Sequence, residues 1–176
     1  MRRAAIILLA LSFLWAHAAF AEDPSPAQVA ASKFVQQFYD WYTPLAHKRG
    51  NRPSWLVAVT KQAAQFDPAL VRALKADADA QKKVSDDIVG LDFDPFLGGQ
   101  DPQDKYTVGD VAENNGVFLV SVYGERNGKR PQKPDVIAVL KASKGSFQFT
   151  NFRFGGNDDL LGTLKLLKDQ RAKSPQ

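Results

Sequence analysis

The apolar positions of this chain fall into four successive patterns. From residue 4 to residue 15 they run almost unbroken behind Arg2 and Arg3, and small residues follow at Ala19 and Ala21. Charge, apolar core and small-residue pair, in that order, make a secretory signal peptide. The apolar core is too short for a membrane span, which needs ~20 residues. Cleavage after Ala21 is therefore expected, with residues 22–176 forming one domain in the periplasm.

From Ser25 the period becomes helical. Ser25, Pro26 and Gln28 read as an N-cap, a first helical residue and the returning arm of a capping box. Ala31, Phe34, Val35, Phe38, Tyr42 and Leu45 then recur at three- and four-residue intervals, and Gly50 and Pro53 close the helix. Pro53-Ser54-Trp55-Leu56 opens a short second helix. Asp67-Pro68 caps a third, with Leu70, Val71, Leu74 and Ala78 on its apolar stripe and Arg72, Lys75 and Asp79 outside.

Beyond Tyr106 the period falls to two. Residues 106–113 read as a strand, and Asn114-Asn115-Gly116 as a hairpin turn with Gly where positive φ is needed. Residues 117–123 are apolar on both faces for most of their length, which predicts a central strand. A polar loop over 126–134, a third strand over 135–142 and a turn at Lys144-Gly145 follow. Phe147 and Phe149 then alternate in one phase, and Phe152 and Phe154 in the other. One extra residue at Thr150-Asn151, a β-bulge, returns all four rings to one concave face. The fourth pattern is helical again. Asn157 is its expected cap, with Asp158 and Asp159 in the first turn and Lys165, Lys168 and Arg171 toward the end, as the helix dipole favours.

Helices followed by antiparallel strands predict an α+β fold. N-terminal helices pack on a curved antiparallel sheet of about four strands, and a C-terminal helix follows. The bent sheet around the first helix makes a cone, with Phe34, Phe38, Phe147, Phe149, Phe152 and Phe154 as its contents.

Composition narrows the chemistry. The chain is 44% hydrophobic and 24% charged, ordinary for a globular protein. It has no Cys, which excludes thiol nucleophiles, iron–sulfur clusters, thiolate zinc sites and a lipoprotein anchor. Of two His, His17 lies in the leader, so a multi-His metal site is ruled out. Removal of the leader reduces the formal charge from +4 to +2 (21 basic against 19 acidic residues), too little to argue for nucleic acid.

The densest polar segment is 92–104. Its Asp92, Asp94, Asp101 and Asp104 are hard oxygen ligands, but an EF-hand register from Asp92 places Phe96, Leu97 and Gln103 where an oxygen ligand, Gly and Glu belong. The alternative is a loop whose Asp side chains cap turns while Phe93 and Phe96 plug the core. Asp40, Trp41 and Tyr42 set a carboxylate and a phenol near the mouth of the cone. Burial there would raise the carboxylate's pKa, although the same spacing is that of core aromatics. His47 suits a helix C-terminus, no Gly-x-Ser-x-Gly elbow occurs, and Gly98-Gly99 and Gly155-Gly156 lack the lysine of a phosphate loop. Arg126, Lys129, Arg130 and Lys133 form a basic loop, and Asp77, Asp79, Asp86 and Asp87 an acidic group. Such asymmetry suits a charged partner or anionic lipid headgroups, but a solvated surface is the plainer reading because the loop lacks an aromatic anchor. Leu160, Leu161, Leu164 and Leu167 pack on the cone or pair with another protein.

Three pieces resemble the YbjP-like family of exported bacterial domains of unknown function. They are Phe38-Tyr39-x-Trp41-Tyr42, Leu91-Asp92-Phe93-Asp94-Pro95-Phe96 with Gln100-Asp101, and Phe147-x-Phe149-x-Asn151-Phe152, and the likeness spans residues 30–168. The resemblance implies a cystatin-like or nuclear-transport-factor-like cone. Some members are lipoproteins, from which this chain departs by lacking the anchor Cys. The family supplies no catalytic residues, so none is carried over.

The expected function is a non-enzymatic periplasmic binding module recognising a protein partner or a small apolar ligand, as a monomer or weak dimer. Its expected binding set is Asp40, Trp41, Tyr42, Asp92, Asp94, Phe96, Gln100, Asp101 and Arg153, with no cofactor and no metal ligand. Two alternatives stay open. One is a small enzyme doing proton transfer or hydrolysis with Asp40 or Asp92 beside Tyr39 or Tyr42. The other is an inhibitor or immunity protein against a cell-envelope toxin.

Overall fold

Ser25 starts the first helix as its spacing implies. Its hydroxyl accepts from Gln28 N at 3.2 Å, and Gln28 Oε1 accepts from Ser25 N at 2.7 Å, a complete capping box. The computed structural model describes residues 23–48, 50–84, 87–156 and 158–173. The expected leader, the Asn157 cap and Asp86 of the acidic group lie outside them. Among the described residues the order is α1 (Pro26–Ala46), α2 (Ser54–Lys61), a 3₁₀ turn (Ala63–Gln65), α3 (Pro68–Gln81), β1 (Lys105–Asn114), β2 (Val117–Glu125), β3 (Val136–Ser143), β4 (Ser146–Arg153) and α4 (Leu160–Lys173). This is the expected α+β arrangement.

Two helix ends differ from the expectation. α1 stops at Ala46, before Gly50, and Pro44 stands in its last turn without an N–H to donate. His47 N caps this end on Thr43 O, and its ring Nε2 donates to Gln103 O at 3.1 Å, so His47 ties the helix to the 91–104 loop. α4 is capped by Asp159, whose Oδ1 accepts from Gly162 N at 2.8 Å.

The strands form an antiparallel meander in the order β1-β2-β3-β4. On β4, Asn151 faces Val139 and Phe149 faces Leu140, which leaves Thr150 as the extra residue. The expected bulge is therefore present, and all four rings reach the core: Phe149 and Phe152 are fully buried, while Phe147 and Phe154 are half-buried against it. A second bulge, at Gly109-Asp110 on β1, has no counterpart in the alternation of the sequence.

Both sheet edges are blunted, as they must be to prevent edge-to-edge association. On β1 the carboxamide of Gln36 donates to Tyr106 O at 3.0 Å and accepts from Val108 N at 2.9 Å, in the manner of a neighbouring strand, and Gln28 donates to Val111 O at 3.0 Å. On β4 the segment after the 3₁₀ turn closes the edge, with Asp67 N donating to Phe149 O at 2.8 Å and Gln148 Nε2 to Ala64 O at 3.0 Å.

Phe38 is the hub of the interior. Its ring lies 4.8 Å from Phe149, 5.3 Å from Tyr42 and 5.7 Å from both Phe66 and Phe96. Stacked and edge-on pairs at such spacings fill space densely. The interior is thus packed ring against ring, with Phe66 and Phe96 added to the expected contents.

The acidic group on α3 needs correction. Asp79 is exposed, but Asp77 is 2% exposed. Asp77 Oδ1 takes a 2.6 Å bond from Arg171 on α4, and its Oδ2 accepts from Leu91 N at 2.8 Å. Arg171 also donates to Val89 O, and Gln81 Oε1 accepts from Val89 N and Gly90 N. α3 and α4 together therefore pin the entrance to the 91–104 loop.

Candidate functional site

Two tyrosines one helical turn apart on α1 hold the middle loop. Tyr39 OH donates to Phe96 O at 2.6 Å, and Tyr42 OH donates to Asp94 Oδ2. The loop is shaped to meet them. Asp94 Oδ1 accepts from Phe96 N at 3.0 Å around Pro95, an Asx turn, while Asp94 O accepts from Leu97 N and Gly98 N. Gly98 has φ +71°, and a Cβ there would come within 2.8 Å of Asp135 O, so only glycine fits.

Burial dominates the electrostatics of this group. It pushes the Asp94 carboxyl up to about 6, while the bonds from Tyr42 OH and Phe96 N hold it from rising further. Burial also drives the Tyr39 and Tyr42 phenols well above their ordinary range, with the Asp94 charge adding to it. Both therefore stay protonated and act as donors. Tyr106, stacked 5.5 Å from Tyr39, rises to about 12 for the same first reason.

The loop and the start of α2 enclose an open cleft of about 340 Å³, whose walls include Asp92, Asp94, Gln100, Trp55, Phe93 and Leu97. Three of the expected binding residues, Asp92, Asp94 and Gln100, meet there. Tyr42 stands behind the cleft as the partner of Asp94. The remaining five are elsewhere. Asp40 is exposed and accepts from Gln36 Nε2 at 2.8 Å. Trp41 is half-buried 6.2 Å from Phe38. Phe96 is fully buried and belongs to the core, and Asp101 is exposed. Arg153 lies at the end of β4 beside a separate depression of about 250 Å³ with Gly156, Asp158 and Asp159. There the Gly162 N–H holds the Asp159 carboxyl below its usual range, and the Arg153 charge helps.

Among the described residues no three His, Asp or Glu side chains converge to hold a metal ion. The lining of the cleft joins two carboxylates, Asp92 and Asp94, to the apolar side chains of Trp55, Phe93 and Leu97. Trp55 and Phe93 as lining of the cleft, and Asp77 and Arg171 as anchors of the loop, are outside the expected set. Asp77 carried a usable signal, because it falls three residues after Leu74 and directly before Ala78 on the inward stripe.

No protein-family model matches the chain, nor does any curated protein sequence. A crystal structure of a protein of unknown function from Bacteroides thetaiotaomicron has a similar fold, with a TM-score of 0.51 and 12% identity over 72% of this chain and 91% of that one. Similarity at this level is one of fold and carries no activity with it.

Proposed function

We propose that this chain is an exported, non-enzymatic binding module of the YbjP-like kind, acting in the periplasm. Its recognition site is the cleft formed by Asp92, Asp94, Gln100, Trp55 and Phe93. The observation that carries this reading is the union of a dense aromatic interior with an open cleft at the loop. A cone filled by Phe38, Phe66, Phe96, Phe149 and Phe152 offers its contacts at the surface, so a partner's side chain or a small ligand is met at the cleft. Leu97, Trp55 and Phe93 supply apolar contact, and the two carboxylates favour an apolar or cationic group over an anionic one.

Two measurements test it: native mass spectrometry of the protein taken from its own periplasm, and in-cell crosslinking from a photoreactive residue at Gln100. A retained small-molecule mass, or a crosslinked protein that disappears with Asp92→Lys, supports the cleft. A bare monomer with no Gln100 crosslink overturns it.

The second reading is a small proton-transfer enzyme, favoured by one observation. A carboxyl raised to about 6 lies at the cleft wall, bonded to a phenol. In that reading Asp94, rather than Asp40 or Asp92, is the base. Asp94→Asn would then fold normally and lose a measurable turnover, whereas the binding reading loses affinity alone.

A further inference from the structure

The basic segment after β2 is an ordered hairpin tip. Asn127 and Gly128 both have positive φ, 52° and 71°, and Arg126 and Lys129 exchange both backbone hydrogen bonds across the turn at 3.1 and 3.0 Å. Two cations therefore stand directly opposite one another, a placement that destabilises a strand pair. Arg130 follows, its guanidinium carbon 3.7 Å from the centroid of the Tyr123 ring. The β1 bulge makes room for this stack. A Cβ on Gly109 would come within 2.5 Å of an Arg130 nitrogen and 2.6 Å of the Tyr123 ring. Tyr123 is the aromatic anchor that the basic loop lacks in its own sequence.

The cations of the tip are not paired one to one with carboxylates. Among the described residues Lys129, Arg130 and Lys133 form no salt bridge, and all three are exposed. Of the neighbouring acids, Asp104 accepts from Asn127 N, Glu125 from Thr107 Oγ1 and Asp135 from Gly124 N, each at 2.7 Å, while Asp110 is exposed beside Gly109.

We propose that this hairpin tip, with Arg130 laid on Tyr123, is a docking surface for an acidic segment of a partner protein. The stack holds the guanidinium flat and leaves its N–H edge free for bidentate pairing with a carboxylate, flanked by Lys129 and Lys133. Chemistry selects this occupant over two others. The Tyr123 face is covered by Arg130 and offers no platform for stacking a base. The exposed large apolar residues (Val29, Val84, Ile88, Leu161 and Leu166) lie off the hairpin, so it has none to insert into a lipid surface.

The test is an ¹⁵N NMR titration of the whole domain with a short Glu/Asp peptide at physiological ionic strength. The amides of Gly109, Tyr123 and the 126–130 tip are expected to shift together. Arg130→Ala should weaken binding about tenfold, and Arg130→Lys, which keeps the charge and loses the flat fork, by an intermediate factor. Gln100→Ala should leave it unchanged, which separates this surface from the cleft. The variant spectra report folding in the same experiment. Shifts scattered over all lysines, an Arg130→Ala variant that binds as well as the parent, or tighter binding to an oligonucleotide or to anionic phospholipid vesicles overturns the proposal.

Discussion

Asp94 and Tyr42 make a hydrogen-bonded pair whose strength depends on pH. The Asp94 carboxyl titrates at about 6 in the fold, against 3.8 for an unperturbed aspartate. The native state therefore binds this proton more tightly than the unfolded chain does. Stability from this group is fully present below pH ~4 and is lost as pH rises through ~6. Urea midpoints measured from pH 4 to 7 should fall along this window, and Asp94→Asn should flatten the fall. Tyr42→Phe removes a bond that favours the carboxylate, so ¹³C NMR should find Asp94 titrating higher still, with a stability loss of about 1–2 kcal/mol. The Asp77–Arg171 pair is the second residue-scale test. Arg171→Ala leaves a buried carboxylate uncompensated and should cost about 3 kcal/mol in chemical denaturation, part of which a paired Asp77→Asn, Arg171→Met variant recovers.

At the scale of elements, the aromatic spacing of β4 depends on one inserted residue. Deleting Thr150 removes the bulge and leaves Phe147, Phe149, Phe152 and Phe154 in one plain alternation, so all four rings stay on the core face. The deletion is therefore expected to keep cooperative thermal unfolding, and Thr150→Ala, which loses only the bond to Val139 O, to cost about 1 kcal/mol. On β1 the edge is closed by side chains instead of a strand. Gln36→Leu with Gln28→Leu strips the donors and the acceptor from Tyr106, Val108 and Val111, and sedimentation should then detect more self-association than in the parent. The bulge on β4 was legible because four phenylalanines mark its phase. The bulge on β1 was not, because Gly109 and Asp110 carry no apolar marker, and Gly109 makes room for the Tyr123–Arg130 stack, a contact made outside its own strand.

At the scale of the molecule, stability rests on the aromatic interior. Phe38→Ala opens a hole among six other rings and should cost about 3–5 kcal/mol, read from the urea transition. No helix of the described residues is long and apolar enough to cross a membrane. By itself the sequence determined the order of elements, the capping of α1 and α3, the central place of β2 and the β4 bulge. Each of these is written in local periodicity or in a side chain's bond to its own backbone, so a one-dimensional pattern is enough to read it. The tertiary structure decided what meets at the loop. It brought Trp55 beside Asp92 and Gln100, set Tyr42 on Asp94, buried Phe96 in the core and Asp77 against Arg171, and left Asp40 in solvent. These outcomes join residues as many as 94 positions apart. They follow from how helices pack on a curved sheet, and no spacing within a single element encodes that.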